Sequence, residues 1–354
     1  MCGIAGILNL DGAPAAAATL RRMADALAHR GPDGEGTYAD GPAGLAHRRL
    51  AVLDPSPAGH QPMATPDGRY VVSYNGEVYN FQELRAELQA AGHTFASRTD
   101  TEVVLRACAA WGPACVERFN GMFAFALWDR DRRELLLARD RYGIKPLYYT
   151  FAGSALVFAS EQKGLLVHPD VPRRLDLEGL LEYMTFQNFF TDRTLLEGVK
   201  TFPAGCTAVV RPGDAPGRLE PRRYWDFDFR EPDEAADPNE YLEEADRLFR
   251  QAVQRQLVSD VELGAYLSGG MDSGSITAIA AGHLPYIRTF TCGFDLSSAS
   301  GLELAFDERA AAERMSYRFR TEHYEMVLKA GDMERVPFLD NDFVDFAIDR
   351  KSVA

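Results

Sequence analysis

The sequence predicts two domains of different class, an α+β layered domain followed by an α/β unit built on parallel strands. Three observations carry this prediction. The first two hundred residues alternate short strand-like runs with amphipathic helices. Between Arg211 and Pro238, prolines and glycines punctuate a charged stretch. Beyond it, strand, helix and strand follow one another in the order of a parallel βαβ unit. A chain of 354 residues suits two domains, and the pattern divides it into 1–210, a linker over 211–238, and 239–354.

Each element has its own warrant. Ile4–Leu10, Tyr70–Tyr74, Phe123–Trp128 and Glu134–Ala138 are rich in β-branched, aromatic or aliphatic residues and read as strands. The last two flank a charged turn, which predicts a hairpin. Tyr79–Gly92 and Thr101–Trp111 carry apolar residues at helical spacing, and Gly92 closes the first. Ala51–Leu53 reads as a further strand. In the second domain, Asn239–Val258 is an amphipathic helix, Val261–Leu267 a strand, Ser273–Gly282 a helix of small residues, and Ile287–Phe294 a strand.

Composition narrows the function classes. Apolar residues make up 46% and charged residues 25%, a globular composition, and the net charge of -14 disfavours nucleic acid as a partner. No run is apolar enough for a membrane span, and no signal-peptide pattern opens the chain. The five cysteines have neither disulfide-framework nor metal-ligand spacing, which fits a reducing cytoplasm. Cys108 and Cys115 fall on the apolar face of one predicted helix as space-filling thiols.

Cys2 follows the initiator methionine. Aminopeptidases clear Met1 before a small residue, leaving a thiol and a free α-amine on one residue, and the amine can take the thiol proton. Downstream, Arg49 can hold a carboxylate by a two-pronged bond, or simply lie on the surface. Asn75 and Gly76 can form an oxyanion hole, or an ordinary Asn-Gly turn. Asp100 can receive an ammonium, or cap the helix that begins beside it.

In order along the chain, MCGIAGI, HRGPDGEG, HRRLAVLD, YNGEVYNFQELR, RTDTEVVL, NGMFAFALWD, RDRYGIKPLYY and FASEQKGLL cover almost all of residues 1–165. They resemble the class II, N-terminal-nucleophile glutamine amidotransferases, with wording closest to the glutamine-hydrolysing asparagine synthetases. The resemblance implies an αββα sandwich of the N-terminal-nucleophile hydrolase type. It implies that Cys2 attacks the glutamine carboxamide while Asn75 and the Gly76 N–H stabilise the oxyanion. Arg49 would bind the α-carboxylate, Glu77 and Asp100 the α-amino end, and Val52 would border the bound glutamine.

The string Leu267-Ser268-Gly269-Gly270-Met271-Asp272-Ser273 joins an apolar strand to a helix. Its glycines and hydroxyls suit an anion at a helix start, without the Gly-Lys-Ser/Thr of a Walker loop. SGGMDS resembles the pyrophosphate loop of ATP pyrophosphatases. That implies ATP bound by Leu267, Ser268, Gly269, Gly270, Asp272 and Ser273, with Asp272 holding Mg²⁺. Thr289–Gly293 resembles the segment whose backbone borders the adenine, which places Cys292 there with a structural thiol.

After Arg335 the resemblance jumps. Gly331–Val336 runs into Pro337–Asp342, a string that in the family lies well beyond a second Gly-rich acidic loop, so the α/β domain reads as incomplete. The leading expectation is glutamine-dependent synthesis of asparagine from aspartate and ATP. Amidation of another carboxylate, and a degenerate glutaminase or glutamine-binding protein, are the alternatives. A homodimer is one assembly the resemblance leaves open.

Overall fold

In the computed structural model of the chain, residues 1–230, 237–295 and 307–328 are described. The chain forms two compact units, residues 1–230 and 231–354.

The first unit opens with strand β1 (Gly3–Asn9), helix α1 (Ala17–Ala26), β2 (Gly34–Asp40), β3 (Ala43–Arg49), β4 (Met63–Ala64) and β5 (Tyr70–Val78). Helices α2 (Phe81–Ala90) and α3 (Asp100–Trp111) follow, then the hairpins β6 (Gly121–Asp129) with β7 (Glu134–Arg139) and β8 (Tyr148–Ala152) with β9 (Ala155–Ala159). It closes with α4 (Gln162–Leu165), α5 (Leu177–Phe186), β10 (Lys200–Thr201), β11 (Cys206–Val210) and β12 (Arg222–Arg223). These strands make two six-stranded sheets, ordered β10-β8-β9-β1-β3-β2 and β12-β11-β7-β6-β5-β4.

Strand alternation separates three apolar layers, because successive side chains point to opposite faces. From β1, Ile4 and Leu8 enter the space between the sheets, where they meet Ala124, Ala126 and Trp128 of β6. Ala5 and Ile7 of the same strand face Leu20, Met23 and Leu27 beneath α1. The other residues of β6, Phe123, Phe125 and Leu127, face Leu84, Leu88, Val104 and Cys108 of α2 and α3. Helix, sheet, sheet and helix therefore stack as the αββα sandwich that the resemblance implied. Gly92, with φ +92, ends the helical turn after α2, and Thr99 caps α3 by accepting the Glu102 N–H at 3.2 Å.

Three readings need correction. Ala51–Leu53 is a bend, because Arg49 draws in the carbonyls of Leu53, Asp54 and Ser56 while Asp33 accepts the Ala51 N–H. Cys115 lies beyond the end of α3, in a 3-10 segment, although its sulfur still sits 3.4 Å from that of buried Cys108. Residues 211–230 divide with the first unit, where β12 pairs with β11 and the Tyr224 hydroxyl donates to the Arg139 carbonyl at 3.0 Å.

The second unit contains α6 (Pro238–Gln256), β13 (Gly264–Tyr266), α7 (Met271–His283), β14 (Arg288–Phe294), α8 (Arg309–Phe319) and β15 (Glu322–Leu328). Its three strands are parallel, in the order β13-β14-β15, and Val253, Ala280 and Ile287 centre a small core. Residues 331–342, which carry the break in the resemblance, lie outside the described residues. No described helix is long and apolar enough to cross a membrane.

Gly6 of β1 has no room for a side chain: a Cβ there would meet Phe158 and lie 2.6 Å from the Gly44 carbonyl oxygen. Gly6→Ala is expected to cost the first unit about 1–3 kcal/mol by overpacking, read as a lower urea midpoint at unchanged slope.

Candidate active site

Pairing of β1 with β3 sets Gly3 opposite Arg48, so the chain start lies beside the end of β3. There the Leu50 N–H donates to the Cys2 sulfur at 3.3 Å, and the Arg30 Nε donates to the Cys2 carbonyl at 2.9 Å. Arg30 is itself held by Glu161 at 2.8 Å, and its Nη2 is buried without a partner. Burial pushes the Cys2 thiol up, and the Leu50 N–H works against that rise. Burial also lowers the terminal amine beside it to about 6, despite the opposing pull of Cys2. An amine in that range is largely unprotonated near neutral pH and can accept a proton.

Cys2, Arg49, Val52, Gly76, Glu77 and Asp100 all line one small pocket of about 30 Å³. The Arg49 guanidinium donates to the carbonyls of Ser56 at 3.0 Å, Leu53 at 3.2 Å and Asp54 at 2.5 Å. These bonds leave Nε and one Nη1 hydrogen of its five donors for a ligand. Gly76 lies inside β5, opposite Phe123, rather than in a turn. A Cβ on it would fall 2.5 Å from the Met122 carbonyl oxygen and 2.7 Å from the Phe123 Cβ, so the strand pairing itself requires glycine. Its neighbour Asn75 is 1% exposed, and its Nδ2 has no hydrogen-bond partner. A buried amide donor left open is costly, and a developing oxyanion is the kind of group that would satisfy it.

The two carboxylates decide the electrostatics. Asp100 is the first residue of α3 and does not cap it, since Thr99 does. Its carboxylate instead accepts from the Tyr74 hydroxyl at 2.6 Å and the Val78 N–H at 3.0 Å. Burial raises Asp100 to about 6 in spite of these bonds. Burial, followed by the Asp100 charge, holds Glu77 well above the usual carboxylate range, against the pull of Lys145. Buried Asp100 and half-buried Glu77 resist ionising together and would be relieved by a cation between them.

His47 is also buried here. Its Nδ1 lies 3.1 Å from the Ser73 hydroxyl, and burial lowers its pKa to about 3, so it stays neutral. Tyr74, Arg30 and the Leu50 N–H escaped the sequence reading. Each sits within or next to a quoted motif, and only the folded register shows which atoms face the pocket.

The second predicted site lies entirely in the second unit, at the turn from β13 into α7. Ser268 and Ser273 share a hydroxyl–hydroxyl bond of 2.8 Å, and the Gly270 N–H donates to Ser268 Oγ at 3.1 Å. Gly269 passes close to α8, since a Cβ there would lie 2.7 Å from the Ala311 Cβ. Gly270 precedes α7 with no side chain capping it, so first-turn N–H groups await an acceptor. Asp272 lies exposed in that first turn. Cys292 lies on β14, paired with Met326, and Leu267 is tied to that strand through its N–H to the Phe290 carbonyl at 2.9 Å. The loop, Leu267 and the adjoining strand thus form one end of the parallel sheet.

Comparison with known proteins agrees with both units. Residues 1–225 match the family described as Glutamine amidotransferase domain, and residues 244–335 match Asparagine synthase. The chain belongs to the glutamine amidotransferase family and carries an asparagine synthase region behind that domain. It is 38% identical over 346 residues to asparagine synthetase [glutamine-hydrolyzing] 3 of Bacillus subtilis, covering 94% of this chain and 55% of the relative. A putative asparagine synthetase [glutamine-hydrolyzing] of Mycobacterium tuberculosis is 35% identical, covering 98% and 56%. Amidase chry2 of Gibberella zeae is 34% identical, covering 79% and 43%. The chain thus spans about half the length of these curated relatives. Among solved structures, the glutamine phosphoribosylpyrophosphate amidotransferase of Bacillus subtilis resembles it with a TM-score of 0.50 at 14% identity, over 94% of this chain and 92% of that one. That likeness concerns the fold alone.

The raised carboxyl pKa values make the stability of the first unit depend on pH. Asp100 and Glu77 have raised folded pKa values, so their contribution to stability is present below the unfolded carboxylate range and lost as pH rises through about 6. Urea unfolding should therefore show stability falling as pH rises from about 4 through about 6. Glu77→Gln should flatten that fall, and an equally steep fall in the variant would contradict the coupling.

Proposed function

We propose that the first unit hydrolyses glutamine to glutamate and ammonia with Cys2 as nucleophile. The observation that carries this reading is the convergence on one cavity of Cys2, the glycine-only strand position at Gly76 and the Glu77–Asp100 pair. Removal of Met1 would move the terminal amine onto Cys2 itself, beside the thiol whose proton it takes. Attack on the carboxamide carbon would then place the oxyanion on the Asn75 Nδ2 and the Gly76 N–H. The carboxylate pair would hold the substrate ammonium, the remaining Arg49 donors its carboxylate, and Val52 would pack against it.

For the second unit we propose ATP-dependent activation of a carboxylate, with aspartate as acceptor and asparagine as product. The carboxylate would take the adenylyl group of ATP, releasing pyrophosphate, and ammonia would then attack the activated acyl carbon and displace AMP to give the amide. Ser268, Gly269, Gly270 and Ser273 would bind the phosphates at the uncapped start of α7, with Leu267 and the Cys292 backbone beside the nucleotide. Asp272 would hold Mg²⁺, which binds through few carboxylates together with substrate phosphates and would neutralise their charge. The similarity to a relative named amidase supports a second reading, in which another carboxylate takes the place of aspartate.

Mass-spectrometric product analysis with glutamine, aspartate, ATP and Mg²⁺ tests the whole assignment. Glutamate, asparagine, AMP and pyrophosphate are expected, and the absence of AMP and asparagine would remove aspartate from the reading. Cys2→Ala should abolish glutamate release, at least about a thousandfold, while any ammonia-dependent amidation continues. Asp272→Asn should do the reverse, sparing glutamate release and suppressing AMP formation.

A further inference from the structure

The start of the chain is laced to a short stretch of backbone that follows β9. That strand ends at Ala159, opposite Ala5 of β1, and the next two residues both reach back to the first residues. The Ile4 N–H donates to the Ser160 hydroxyl at 3.0 Å, and the Ser160 N–H donates to the Ile4 carbonyl at 2.8 Å. Cys2 lies outside this lacing, because the ladder of β1 on β3 begins at Gly3. Its carbonyl is held by Arg30 Nε at 2.9 Å. The Arg30 stem also covers Gly3, where a Cβ would lie 3.5 Å from the Arg30 Cδ.

Arg30 in turn depends on Glu161. Its side chain is 9% exposed, and a charge so buried is stable only when paired. Glu161 Oε1 accepts from Arg30 Nη1 at 2.8 Å and lies 3.0 Å from His29 Nε2, while Lys163 Nζ stands 3.2 Å from Oε2. Of these three partners, His29 and Lys163 are about half exposed, so Arg30 is the one that needs the carboxylate. Burial alone would raise the Glu161 carboxyl, yet the bonds from Arg30 and His29 hold it down at about 2. Glu161 immediately precedes α4 but does not cap it with its side chain, which turns to Arg30 instead. The Gly164 N–H fixes its backbone, donating to the Glu161 carbonyl at 3.0 Å.

We propose that Glu161 is a positioning residue for the Cys2 thiol: it aims Arg30 at the Cys2 carbonyl, and through that bond it holds the sulfur against the Leu50 N–H. The inference rests on the reading of Cys2 as nucleophile. It also joins two of the quoted motifs, HRGPDGEG and FASEQKGLL, since His29, Glu161 and Lys163 do not line the glutamine pocket. Glu161 therefore acts on the thiol and not on the substrate, whose ends fall to Arg49, Glu77 and Asp100. A nucleophile displaced by about 1 Å can lose about a hundredfold in rate. Loss of Glu161 should accordingly lower kcat and spare KM.

The experiment follows glutamate release from glutamine by the full chain. Glu161→Gln keeps an oxygen acceptor but removes the charge, and should lower kcat about tenfold with KM changed less than about twofold. Glu161→Ala should lower kcat about a hundredfold, and the glutamine variant decides if the alanine variant does not fold. In an Arg30→Ala background, Glu161→Gln should change kcat by less than about twofold, because the path through Arg30 is already cut. In chains labelled with ¹⁵N-isoleucine, solvent exchange of the Ile4 amide reports fraying of the chain start, and Glu161→Gln should speed it about tenfold. An unmoved kcat, an unmoved Ile4 exchange, a rise in KM alone, or an equal kcat loss with and without Arg30 overturns the proposal. Glutamate release that survives Cys2→Ala would instead overturn the reading of Cys2 as nucleophile, while Ile4 exchange still judges the clamp.

Discussion

The antiparallel register of β1 on β3 is the constraint on which the rest of the pocket depends. It sets Gly3 against Arg48 and thereby brings the Cys2 sulfur to the Leu50 N–H. Slipping this register by one residue would exchange the two faces of β1, moving Ile4 and Leu8 out of the space between the sheets. The same layers that pack the core therefore also fix the Cys2 thiol. A thiol at a chain end would ordinarily be mobile. This one is held by strand pairing on one side and by Arg30 on its carbonyl.

Around that fixed thiol the pocket gathers unfavourable electrostatics. Buried Asp100 lies beside half-buried Glu77, both resist ionising, and the buried Asn75 amide lacks a partner. A cation would relieve the carboxyl pair, and an oxygen acceptor would satisfy the amide. Strain of this kind is tolerated where the surrounding structure over-determines the geometry. Here Tyr74 and the Val78 N–H hold Asp100.

The second unit uses the opposite strategy. Its loop hydroxyls already bond one another, and the open positions are backbone N–H groups at the start of α7. Backbone donors at a helix start suit an anion without asking any side chain to be buried with a charge.

Much of this was legible in the sequence. Apolar alternation in Phe123–Trp128 and helical spacing in Thr101–Trp111 located the layers, since burial on one face imposes a period of two or 3.6. The motif residues Cys2, Arg49, Gly76, Glu77 and Asp100 were all named before any of them had a neighbour. The sequence could not place Ala51–Leu53 in a bend or assign residues 211–230 to the first unit. Those outcomes depend on Arg49 reaching three distant carbonyls and on β12 pairing back to β11. The motifs by themselves pointed to the family that the matched family models show. Only the tertiary structure decided that Asp100 takes its hydrogen bonds from Tyr74 and Val78, and that Gly76 is glycine because β6 leaves no room. The physical reason is that burial and through-space charge belong to residues far apart in the chain, and no local pattern records them.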